Sequence, residues 1–225
     1  MRRWIVLAAV LAALVSLVRH FPLAWAAAGL PDEVGTFSGT VWDGQAVGVP
    51  LLGSVAVKGG LGGVTLQTAP GDVTLRGTVS PRSVDDLVLS MPVSRLPTTD
   101  GRLSGLAGRF SLRIDAADIS GQSCQSATGT ASTNVLAANG ARFSWTGPEL
   151  SGPVDCTDGR LRVSLSGEDA NGSVEALTTT GLDGTYATDV TVRAPDPAAG
   201  NALVLFGFTP AGAGEYRLSE QGRWR

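Results

Sequence analysis

Arg109-Phe110-Ser111-Leu112-Arg113-Ile114-Asp115 alternates polar and apolar side chains without a break. A strand turns successive side chains to opposite faces, so this period of two predicts a strand with Phe110, Leu112 and Ile114 on one buried face. Arg160-Leu161-Arg162-Val163-Ser164-Leu165-Ser166 repeats the pattern and sets Leu161, Val163 and Leu165 on one side.

Working outward, the same reading predicts strands at residues 36–42, 46–49, 53–58, 84–91, 127–136, 141–146, 185–193 and 214–225. Gly63-Val64-Thr65-Leu66-Gln67 and Asp72-Val73-Thr74-Leu75-Arg76 form a hairpin about the turn Ala69-Pro70-Gly71-Asp72. Residues 101–108 fit a helical turn or a loose link, and the apolar run 201–208 fits a short helix or a buried strand. A last strand carrying Tyr216, Leu218 and Trp224 would help close the sheet. The 30 glycines favour extended segments and turns over long helices. The fold class is therefore mainly β, a single antiparallel sheet domain. Glycine-rich strands with one apolar face can curve into a groove, packed solid or open to a lipid.

Met1-Arg2-Arg3 precedes an uncharged run at residues 4–18. Basic residues ahead of an apolar segment keep that flank cytoplasmic and send the rest out. Fifteen helical residues span about 22 Å, short of the roughly 30 Å hydrocarbon core, so a full crossing needs residues 21–30 as well. Arg19 and His20 would then snorkel, with Trp25 near the headgroups. Ala24-Trp25-Ala26 also has the small-x-small form of a signal-peptidase site, which keeps cleavage as the competing reading. A retained transmembrane helix is favoured, giving a cytoplasmic start and anchor at residues 1–30 and a periplasmic β-rich domain at residues 31–225.

The chain has one histidine, His20, beside the apolar segment, so the exported part has no imidazole for a triad, a general base or a zinc site. It carries no nucleophile elbow and no Walker loop, and Lys58, its one lysine, has no serine three positions before it. Gly59-Gly60-Leu61-Gly62-Gly63 precedes no helical pattern and reads as a turn. Asp85-Asp86 and Glu168-Asp169 are adjacent pairs that a strand would point apart. No catalytic, cofactor or metal site is expected. A net charge of −3, with basic residues scattered along the chain, argues against nucleic acid as a partner.

Cys124 and Cys156, the only cysteines, both fall in the exported part, where an oxidising compartment permits a disulfide. Both sit among polar neighbours, which favours a bridge over two buried thiols. Two sulfurs without histidine fall short of a zinc site.

Ser38-Gly39-Thr40-Val41-Trp42-Asp43-Gly44-Gln45-Ala46 resembles an element of the type II secretion system protein N family, also called general secretion pathway protein N. So do Gly214-Glu215-Tyr216-Arg217-Leu218 near the end, the Pro22-x-x-Trp25 boundary, and Asp115-Ala116-Ala117-Asp118-Ile119-Ser120 followed by Cys124 and Gly129. The motif residues are Ser38, Gly39, Thr40, Trp42, Gly44 and Ala46, with Gly214, Glu215, Tyr216, Arg217 and Leu218. The resemblance implies an accessory, non-catalytic inner-membrane subunit of the machine that exports folded proteins across the outer membrane. Its implied partners are the other platform subunits, met by strand addition or face-to-face docking. A second reading is a membrane-anchored lipid-handling domain. An unfilled furrow lined by Phe110, Leu112, Ile114, Leu161, Val163 and Leu165 would distinguish it.

Overall fold

The computed structural model describes residues 16, 19–26, 35–60, 62–95, 105–194 and 196–223. The chain divides into two compact units, Met1–Thr78 and Val79–Arg225. Among the described residues no helix is long and apolar enough to cross a membrane, and the anchor read at residues 4–18 lies outside them apart from Ser16.

The first unit holds a one-turn helix α1 (Leu23–Ala26) and five strands that neighbour one another in chain order: β1 (Thr36–Gly39), β2 (Gly44–Val49), β3 (Gly53–Gly60), β4 (Gly63–Thr68) and β5 (Thr74–Val79). The predicted strand at residues 36–42 stops early, because Gly39 takes φ +82° and the Thr40 N–H turns back to Asp43 O at 3.1 Å. The predicted hairpin forms. Thr68 ties its turn, donating its hydroxyl to Val73 O at 3.2 Å and accepting the Leu75 N–H at 2.9 Å. Residues 21–26, read as a continuation of the anchor, dock on the first hairpin. The Val41 N–H donates to Phe21 O at 3.0 Å, Pro22 bridges Thr40, and Leu23 is buried.

The second unit contains β6 (Ser83–Pro92), β7 (Arg109–Ser120), β8 (Ser123–Thr133), α2 (Val135–Ala138), α3 (Gly140–Phe143), β9 (Leu150–Thr157), β10 (Arg160–Asp169), β11 (Gly172–Thr180), β12 (Thr185–Arg193), α4 (Pro197–Leu205), β13 (Thr209–Gly212) and β14 (Glu215–Arg223). Its strands run in order from β6 to β12, followed by β14 and then β13 at the edge, and every pairing from β6 onward is antiparallel. The last strand does not close the sheet as expected. It pairs with β12 on one side and is capped by short β13 on the other, which leaves the run open.

The deciding stretch forms the first half of β7. Phe110, Leu112 and Ile114 all face one core cluster, with Ile114 only 5% exposed. The alternation then changes phase. Ile114 pairs Gly129 and Ala116 pairs Thr128, so Asp115 is an extra residue, a bulge that moves the inward position to Ala117. Asp158 and Gly159, at φ +52° and +76°, make the two-residue turn between β9 and β10, as the twist of a tight hairpin requires.

β9 and β11 are absent from the sequence prediction, and each has a physical reason. β11 points Val174 inward but follows it with Ala176, Thr178 and Thr180, too small or polar to signal a buried face. β9 contains Gly152-Pro153, which reads as a breaker. The β9–β10 pairing runs through Val154 opposite Val163 and Ser151 opposite Ser166 but is interrupted between them, where Pro153 lacks an N–H. A Cβ on Gly152 would lie 1.8 Å from Ser164 O, so the two backbones come together closer than any other residue allows. Second-neighbour strands in a flat sheet lie roughly 9.5 Å apart. β8 and β10 instead bring Cα atoms within 8 Å of each other across β9. The sheet is therefore folded sharply along β9, with Val154, 1% exposed, at the bottom of the crease.

The segment at residues 141–146, predicted as a strand, is instead α3 and a turn. Asn139, buried just before α3, decides this. Its side-chain amide accepts the Ala107 N–H at 3.0 Å and donates to Ala107 O at 2.9 Å and Val135 O at 2.6 Å. A buried amide with these partners holds the backbone in a turn that local propensity does not encode. Residues 201–208 resolve in favour of the helix, α4, which starts on Pro197 with Asp196 accepting the Ala198 N–H at 2.8 Å.

Candidate functional site

The motif residues of the first unit lie at the turn between β1 and β2. Gly39 and Gly44 face each other across that turn, and a Cβ on Gly44 would meet Leu23 Cδ2 at 2.6 Å. Glycine at 44 is thus what lets α1 sit on the hairpin. Ala46 is buried, Trp42 is half-buried, and Ser38 faces solvent. Thr40 accepts the Asp43 N–H on its hydroxyl at 3.2 Å.

The motif of the second unit lies at the start of β14. Gly214, at φ +72°, accepts the Ala194 N–H at 2.9 Å and so joins the end of β12 to β14. Tyr216 reaches under α4 to Gly200, where a Cβ would lie 1.9 Å from its hydroxyl. Glu215 accepts from Arg217 at 2.8 Å and from Arg193 at 3.3 Å, and Leu218 pairs Val190. The two motifs belong to different units, and in each the residues are engaged in local packing and pairing.

Cys124 and Cys156 are joined in a disulfide with their Cα atoms 5.7 Å apart. The β8–β9 ladder runs from Thr133–Leu150 to Gly129–Val154 and ends there. The bridge lies beyond that end, so it secures the margin of the crease that hydrogen bonds leave open. The Cys124 N–H reaches past it to Gly159 O at 2.9 Å.

The carboxylate pairs sit in turns and irregularities. Asp85 accepts from the Ser83 hydroxyl at 2.8 Å, neighbouring Asp86 has φ +50°, and Asp169 accepts the Asn171 N–H at 2.7 Å. Glu168 and Asp169 also border an open depression of about 300 Å³ with Ser173 and Arg193, but Arg193 is engaged with Glu215. Among the described residues no three His, Cys, Asp or Glu side chains gather as metal ligands would.

Three carboxyls titrate below their ordinary range. Asp155 is lowered first by its paired hydrogen bonds from the Arg162 guanidinium, at 2.7 and 2.8 Å. The Thr185 hydroxyl does the same for Asp183, followed by the Thr185 N–H, while Glu215 is held down by Arg217 and then Arg193. Each group binds its proton more readily unfolded than folded. Their contribution is therefore complete above the unfolded carboxyl values, near pH 4, and is lost as pH falls through the lower folded values. An Arg162→Met variant is expected to flatten the stability profile below about pH 4. Urea midpoints across that range check it, and an unchanged slope would refute the role of this pair.

The second unit's interior holds two clusters that meet at Leu165. One cluster, Trp145, Leu150, Val174, Val192, Ala194, Ala199 and Leu203, is roofed by the helical segments, with Leu136, Phe208 and Tyr216 packed against it. The Trp145 indole N–H donates to Asn171 O at 3.0 Å and fixes that roof. The other, Ile114, Ala117, Ala131 and Val154 with Val84, Leu87, Phe110, Leu112, Ala127, Leu161, Val163 and Leu165, draws among the described residues only on β6–β10. All six predicted furrow residues are thus brought to one face. Ile114 is buried and the other five are half-buried. Asn139 and Trp145, which hold the roof, went unnoticed in the sequence, where a lone Asn and a Trp carry no pattern.

An open antiparallel sheet, creased by glycine, braced by a disulfide and carrying its distinctive motifs at packing sites, defines a mainly β protein. The chain belongs to the type II secretion system protein N family, whose family model matches residues 33–219. It is a component of that secretion machinery. No curated protein and no solved structure gave a significant match.

Proposed function

We propose that this chain is an accessory inner-membrane subunit of the type II secretion system that acts without catalysis, through interaction with the other platform subunits from the periplasmic side. The observation that carries this is the family match over residues 33–219, together with the basic start and apolar run at residues 2–18. Of the two modes of contact, docking on a sheet face is better supported than strand addition at β13. That edge strand is four residues long, contains Pro210 and is bulged between Pro210 and Gly212, features that blunt an edge against further pairing. The outward face of β11, β12 and β14 offers Glu175, Arg193 and Arg217 in mixed sign beside exposed Leu177.

Purification of the full chain from detergent-solubilised membranes tests this reading. Recovery of platform subunits, lost on reversing Arg193 and Arg217 to glutamate, is the expected result. Repeated purification of the folded protein alone would overturn it.

A further inference from the structure

Building on the inner-membrane reading, we propose that Phe21 and Trp25 form a lipid seat: the pair rests in the outward headgroup layer of the membrane and holds the β1–β2 hairpin on the bilayer surface. A tether alone does not require this, because a domain on an apolar anchor is free to stand off in solution.

Phe21 and Trp25 meet edge to face with their ring centroids 6.1 Å apart, and they are 36% and 71% exposed. Leu23 between them is buried on the hairpin, which leaves the two aromatic side chains on the outward side of the same segment. An indole joins a large apolar ring to one N–H donor, and such side chains gather where one side is apolar and the other wet. Arg19, exposed just before the pair, adds a guanidinium suited to lipid phosphate.

Three features make the occupant a bilayer and not a groove on another protein. The first is position along the chain. The apolar run ends at residue 18, three residues before Phe21. The His20 N–H closes a helical turn on Ser16 O at 3.0 Å. At about 1.5 Å per helical residue, Phe21 lies about 4 to 5 Å past the run, inside a headgroup layer about 5 to 7 Å thick. The second is length. A helical run over residues 4–18 spans about 22 Å against a hydrocarbon core of about 30 Å, and a span shorter than the core draws its flanking residues inward. The third is the tie to the sheet. The Val41 N–H donates to Phe21 O at 3.0 Å, Pro22 bridges Thr40, and Leu23 occupies the place that a Cβ on Gly44 would contest at 2.6 Å. No slack chain separates the pair from the hairpin, so the aromatic side chains reach lipid only by bringing β1 and β2 with them.

A benzophenone amino acid is placed singly at Trp25 and, as a control, at Leu51, which is 38% exposed in the turn at the end of β2 far from α1. Both side chains are exposed, so neither replacement disturbs the packing. Irradiation of the full chain in isolated inner membranes should attach phospholipid at 25 with at least tenfold the yield at 51. In vesicles of phosphatidylethanolamine and phosphatidylglycerol, the emission lost on Trp25→Phe should be quenched at least twofold by phospholipid brominated near the top of its acyl chains. Release of the chain by alkaline carbonate would overturn the inner-membrane reading and the seat together. For a chain that stays integral to the membrane, no lipid adduct at 25, equal adducts at 25 and 51, a protein adduct at 25 or unquenched Trp25 emission would each overturn the seat alone.

Discussion

Replacing Cys124 and Cys156 together by alanine is expected to lower the stability of the second unit by about 3 to 4 kcal/mol. The bridge closes a loop with a sequence separation of 32 residues, and in the chain-entropy description a loop of that size restricts the unfolded chain by about that amount. The loop runs through nearly all of β8, the helices α2 and α3 and nearly all of β9, so the released unfolded state gains freedom in the segment that forms the crease. The native side adds a second term. The β8–β9 ladder ends at Gly129–Val154, and without the sulfurs the Cys124 N–H to Gly159 O bond is left to tie that margin. The midpoint of thermal unfolding should fall by on the order of 10 °C, and dithiothreitol should reproduce the fall in the unaltered protein. A decrease below about 1 kcal/mol would show that the unfolded state is already restricted by other means.

Gly152→Val is expected to cost about 3 kcal/mol or more. Its Cβ would sit 1.8 Å from the Ser164 carbonyl oxygen, an atom of the neighbouring backbone that cannot rotate away. Either β9 and β10 separate, which uncovers Val154, or the strand slips and takes its inward row off the face. Gly62→Ala is the comparison, since a Cβ there meets nothing within 4 Å and φ is not positive. That variant should stay within about 0.5 kcal/mol of the parent. Urea unfolding of the full chain distinguishes the two, and equal midpoints would mean that the crease is not held by backbone approach at Gly152.

These two effects differ in how visible they were beforehand. With only two cysteines in the chain, the pairing partner needed no structure. Gly152 stood next to Pro153, and the pair read as a place where a strand ends. In the fold the same two residues bend a strand that continues on either side, because the missing proline donor and the missing Cβ fall at one bend. Residues 141–146 misled in the opposite direction. Their apolar content fitted a strand until buried Asn139 bound the backbone of Ala107, 32 positions away in sequence.

What the sequence by itself determined is the set of faces. Alternation is a local property, and it placed Phe110, Leu112, Ile114, Leu161, Val163 and Leu165 together before any pairing was known. The motifs around Trp42 and Tyr216 likewise named the family, since a motif needs only order along the chain. Tertiary structure alone decided where the sheet bends, which part of its apolar face the helices cover, and that the last strand leaves the run open. Those outcomes depend on how closely one backbone approaches another, and that distance is set between strands, not within them.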